Sequence, residues 1–155
     1  MADKKNETVN IETGEVVDTA TASNVNEKGN GFEPRQIITF DPHMPENRVR
    51  MFNARNSAVS LKNIGDTPIN IVDVMTQIGS RARSGNPCQN TYIFADDGQV
   101  YFTQSNGLGR TVNELVEMVD GDFKANTTNG YVKVQIKEIA LSGDRTYKRF
   151  VLIEA

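Results

Sequence analysis

From Gln36 onward the chain is governed by short runs in which apolar and polar residues alternate. QIITF (Gln36 to Phe40) reads as a strand that Asp41-Pro42 closes. Between Arg48 and Asn53, Val49 and Met51 alternate with Arg48, Arg50 and Phe52, the period-two pattern of a strand with one buried face. Val59 to Leu61 continues that strand after a turn at Asn56-Ser57, and Asp66-Thr67-Pro68 marks the next break. Ile69 to Thr76 is more continuously apolar, as a central strand is. The polar stretch from Gly79 to Asn90, with Arg81 and Arg83, reads as a loop long enough to carry function.

Two β-rich runs, Tyr92 to Ala95 and Val100 to Thr103, meet at Asp96-Asp97-Gly98, a strong hairpin signal. A two-residue loop would put Ile93, Ala95, Val100 and Phe102 on the core face. A three-residue loop shifts the pairing by one and sends Tyr92 and Phe94 inward with Val100 and Phe102. Tyr101 alternates against Val100 and Phe102 either way, so it is expected to face outward. Beyond it, Val112, Leu115, Val116 and Val119 form the stripe of one short helix, opened by Thr111 with Glu114 three residues on. Gly107-Leu108-Gly109 reads as a turn before it. In the last hairpin Val132, Val134 and Ile136 alternate with Tyr131, Lys133, Gln135 and Lys137; the chain turns at Leu141 to Asp144 and returns from Tyr147 to Ile153. Hairpin, helix, hairpin is the order of an OB-like barrel. The expected fold is therefore all-β with one short helix, an OB-fold-like five-stranded barrel over residues 34–155, preceded by a flexible acidic tail over residues 1–33.

Charge sharpens that division. Residues 1–32 hold six of the 20 acidic residues and three of the 17 basic ones, so the net −3 resides in the tail and the remainder is neutral. Its composition reads as disordered. Val9 to Val17 (VNIETGEVV) is either part of that solvated tail or a strand-like segment that docks on a neighbouring subunit, a route to homo-oligomers. One cysteine, Cys88, and one histidine, His43, offer no intrachain disulfide, zinc set or Ser–His–Asp pattern. No cofactor or metal is expected, nor is an enzyme; hairpin chemistry accounts for the adjacent Asp96 and Asp97. No apolar run approaches a membrane span and no secretory signal is visible, which fits a cytoplasmic protein.

Binders of single-stranded nucleic acid combine a cationic track with exposed aromatic faces on which bases stack. Arg48, Arg50 and Phe52 supply that combination on one strand, Tyr101 and Tyr92 on the hairpin, and Tyr131, Lys133 and Lys137 on another, with Arg81 and Arg83 beside them. A solvated polar face is the competing explanation for any one of these strands. The blocks VRMFNA (Val49 to Ala54), SLKN (Ser60 to Asn63), YIFADDGQVY (Tyr92 to Tyr101), the Thr111-Val112 helix entry and VKV (Val132 to Val134) resemble the single-stranded DNA-binding proteins of phages that replicate linear genomes by protein priming. That resemblance implies an OB-like fold, coating of displaced strands in the cytoplasm of a bacterial host, a functional link to the replication polymerase, and stacking roles for Tyr101 and Phe52. The family's tyrosines between Met75 and Asn90 are missing here, where Arg81 and Arg83 stand instead. The alternative function is a virion β-domain that assembles through its tail.

Overall fold

The computed structural model describes residues 32–141 and 143–155. The expected tail and the Val9 to Val17 segment lie outside the described residues. Pro34 to Ala155 make one compact unit, which contains a single sheet of seven strands. The elements run β1 (Ile37–Ile38), α1 (Pro45–Ser57), β2 (Val59–Ser60), β3 (Ile69–Ser80), β4 (Pro87–Ala95), β5 (Val100–Thr103), α2 (Asn106–Met118), β6 (Val132–Ala140) and β7 (Thr146–Glu154). The sheet order is β2-β5-β4-β3-β6-β7, with β1 added beside β3. All pairings are antiparallel except β2 with β5. The sheet curls into a half-barrel; among the described residues there are seven strands and two α-helices where five strands and one helix were expected.

Two apolar clusters occupy opposite faces of this sheet. On one face Ile71, Val74, Ile93, Val132, Val134 and Phe150 pack with Leu108, Val112, Leu115 and Val119 around α2. On the other, Met75, Tyr92 and Phe94 pack with Ala54 of α1, flanked by Phe40, Met51, Val100 and Phe102. A bulge in β3 between Ile71 and Asp73 lets Ile71 and Val74, three residues apart, enter the same cluster. Helix α2 is registered on the sheet by a buried exchange of side-chain amides. Gln89 Nε2 donates to Asn113 Oδ1 at 2.9 Å and Asn113 Nδ2 returns to Gln89 Oε1 at 3.1 Å. Burying these amides is tolerable only because each meets its partner.

Three local expectations are corrected. Arg48 to Asn53 is helical, not a strand. Pro45 at the start and Glu46 in the first turn favour a helix, and Asn47, Arg50, Met51 and Ala54 recur at helical spacing toward the sheet. A six-residue window with two apolar residues two apart fits either period, and the helical flanks decide. The Gly79 to Asn90 loop is mostly hairpin arm, since β3 and β4 pair out to Ser80 and Pro87; its polar residues are strand residues at the end of a long ribbon. Finally, α2 begins six residues earlier than expected, with Ser105 Oγ accepting from the Leu108 amide at 3.2 Å. Gly107 and Gly109 therefore lie inside the helix. Thr111 instead donates its hydroxyl to the Gly107 carbonyl at 2.9 Å.

Gly107 is required by packing. A Cβ there would collide with the carbonyl oxygen of Lys148 in β7, which is backbone and cannot swing aside. The first turn of α2 thus lies directly against β7 and holds the curl of the sheet. Gly107→Ala is expected to lower unfolding stability by about 1–3 kcal/mol through overpacking, although alanine is the better helix former. Chemical denaturation of both proteins checks it; equal midpoints would mean that β7 is not held at this point.

Candidate nucleic-acid interface

The central hairpin adopts the three-residue loop. Tyr92 pairs with Phe102, Ile93 with Tyr101 and Phe94 with Val100. The amide of Ala95 bonds the Gln99 carbonyl at 2.9 Å across Asp96-Asp97-Gly98. Asp97 Oδ1 accepts from the Gln99 amide at 2.9 Å and Asp96 Oδ2 from Asn70 Nδ2 at 3.0 Å, so both carboxylates serve the turn. Tyr92 and Phe94 are consequently buried with α1. Tyr92 lies against Phe102 with ring centroids 5.2 Å apart and is only 8% exposed, so it has no face to offer a base.

Tyr101 does not face outward as expected. It is half-buried against the α2 cluster. Alternation correctly separates it from Val100 and Phe102, but both faces of the sheet are covered here. Burial, with Asp97 nearby as the smaller cause, raises its phenol above the ordinary tyrosine range.

The expected cations divide into engaged and open groups. Arg50 places its guanidinium 4.7 Å from the ring centroids of both Phe40 and Phe94. Its Nη2 meets Asp73 Oδ2 at 3.0 Å and its Nη1 donates to Asn47 Oδ1 at 3.1 Å. That is a bolt fastening α1 to the sheet. Arg81 is also committed, donating to the Gln104 carbonyl and Asn106 Oδ1 at 3.0 Å each; it ties the β3–β4 ribbon to the start of α2. Arg83, in the turn between β3 and β4, is exposed.

The open groups lie on two surfaces. On α1, Arg48, Val49, Phe52 and Arg55 point away from the sheet at helical spacing, with Phe52 66% and Val49 59% exposed. On the β6–β7 hairpin, Val132, Val134 and Ile136 enter the core, so Lys133, Gln135 and Lys137 occupy the other face beside a half-buried Tyr131. Lys133 is 3.5 Å from Glu154 of β7; Lys137 is exposed and lies directly across from Arg149. Arg55, Tyr147 and Arg149 share these two surfaces and were not among the residues expected from the sequence. The helical period of α1 would have found the first, and pairing the last hairpin through its turn would have set Tyr147 and Arg149 on the Lys137 face.

Two outcomes test this assignment of roles. Arg50→Ala should cost roughly 1–3 kcal/mol of stability, by losing a cation–π contact and a charged hydrogen bond; an unchanged denaturation midpoint would deny it the bolt role. The raised phenol of Tyr101 means that the neutral form is favoured by folding. Its stabilisation is full below the unfolded tyrosine pKa of about 10 and is lost as pH rises through the higher folded value. In an alkaline titration followed by tyrosinate absorbance, one tyrosine should ionise late, and Tyr101→Phe should remove that late component.

A family model described as Phage Single-stranded DNA-binding protein matches residues 35–147. Among curated proteins and among solved structures, no match is found. The matched span contains α1, β2, the central hairpin, α2 and β6, and every sequence block noted above falls within it. With most of its length covered by that model, the chain belongs to the family of phage single-stranded DNA-binding proteins.

Proposed function

We propose that this protein binds single-stranded DNA without sequence preference and coats strands displaced during phage DNA replication in the cytoplasm of the bacterial host. The observation that carries the reading is the family match over residues 35–147; the exposed aromatic and cations of α1 and β6 supply chemistry suited to it. Phe52 offers a ring for stacking while Arg48, Arg83, Lys133 and Lys137 neutralise phosphates. Tyr131, half-buried at the base of β6, gives part of a ring to the same face. Bases are read only as π faces, so binding tolerates any sequence. The curled sheet is the kind of scaffold that an OB-like barrel provides for such a strand.

A coated strand would be shielded from nucleases and from unproductive capture of polymerase. No catalytic step is assigned. The virion-assembly alternative finds no support in the family match.

Titration of the full chain with oligo-dT should quench tyrosine emission. Log K should fall with log salt at about −0.7 per phosphate neutralised. Phe52→Ala should weaken binding by ~1–3 kcal/mol with little change in unfolding, because the ring is 66% exposed. Absence of binding to long single strands at low salt ends the reading; full affinity in the Phe52 variant removes α1 from the surface.

A further inference from the structure

The β6–β7 hairpin carries three cross-strand charged pairs: Lys133–Glu154 and Glu138–Lys148 are balanced, and Lys137–Arg149 is not. Glu138 faces Lys148 across the strands, and Thr146 donates its hydroxyl to Glu138 Oε2 at 2.9 Å. One register position away, on the other face, Lys137 faces Arg149. Both of these residues are exposed, and among the described residues neither has a carboxylate within ion-pair distance. The Arg149 Nε donates only to the carbonyl of its neighbour Phe150, at 3.4 Å. Like charges directly opposite each other destabilise a sheet, so folding gives no reason for this pair. An anion seated between the two would turn the repulsion into attraction.

The same face continues with Tyr147, which lies opposite Ile139 two positions along. It is 37% exposed, and its Cδ2 edge lies 3.2 Å from where a Gly107 Cβ would stand, which sets the ring at the outer edge of the sheet beside the start of α2. A cation pair next to a part-exposed aromatic has the composition of a one-nucleotide step: a phosphate for the pair and a base for the ring.

Resting on the single-strand reading above, we infer that Lys137 and Arg149 together clamp one backbone phosphate of bound single-stranded DNA while Tyr147 stacks the adjoining base. The hairpin then contributes through both strands, and β7 takes a direct part in binding. The clamp predicts that the same substitution moves stability and affinity in opposite directions, which a residue acting only in the fold cannot do.

The test uses the full chain and oligo-dT. Lys137→Gln and Arg149→Gln, made singly, should each reduce the slope of log K against log salt by about 0.7, while the thermal midpoint without DNA stays level or rises. Tyr147→Phe should bind as wild type and Tyr147→Ala should bind roughly 5- to 150-fold more weakly. Unchanged affinity and slope in both glutamine variants would overturn the clamp and leave single-strand binding standing. A fall in the DNA-free midpoint of either would also overturn it, because the charge would then be serving the fold. Failure of the wild-type chain to bind would remove both readings.

Discussion

Strand β4 sends side chains into two separate cores: Ile93 and Ala95 pack toward α2, Tyr92 and Phe94 toward α1. A strand buried on both faces needs a covering element on each. The α2 side is held by an apolar stripe plus the Gln89–Asn113 amide exchange. The α1 side has no comparable stripe, and one cation replaces it. Arg50 sits between the rings of Phe40 and Phe94 and is anchored by Asp73. In a partly desolvated position such a contact is stronger than at an open surface. Because α1 is attached this way, its outward side is free to carry Val49 and Phe52 without a packing role.

This double burial also explains which parts of the fold were legible in the sequence. The hairpin at Asp96-Asp97-Gly98 and the stripe of α2 were visible because turn chemistry and helical periodicity are local. Tyr101 was misjudged because alternation assigns residues to faces without saying which face meets solvent, and here both are partly covered. Helix α1 was hidden by its weak apolar stripe, since its principal anchor is an arginine. The start of α2 was hidden by two glycines, of which Gly107 answers to the Lys148 carbonyl in β7, a neighbour 41 positions along the chain. Such a requirement leaves no local signal.

The candidate site was legible in kind more than in detail. A basic and aromatic surface was correctly sought on the polar side of β6, yet Arg50 and Arg81 turned out to be committed to protein partners. Arginine suits both roles, because its planar guanidinium can hold a carboxylate, a carbonyl or a ring as readily as a phosphate. Only three-dimensional partners separate the two uses.

Sorting by partner also shows how a neutral domain can present a cationic surface. Residues 33–155 hold fourteen acids and fourteen bases, but the acids are preferentially used inside the fold. Asp73 receives Arg50 and Thr39, Asp96 receives Asn70, Asp97 caps the hairpin turn, Asp122 accepts the Ala125 amide, and Glu138 accepts from Thr146. Each such bond fixes a negative charge in place without removing it; only Asp73 is also balanced by a cation, Arg50. Arg48, Lys137 and Arg149 have no carboxylate partner among the described residues, Arg149 donating only to the Phe150 carbonyl. Net charge therefore says little about this domain's affinity for phosphates; the relevant quantity is where its bases cluster on the surface apart from its acids. By that measure the unmatched face of the β6–β7 hairpin is the most anion-seeking stretch of the sheet, although the chain as a whole is acidic.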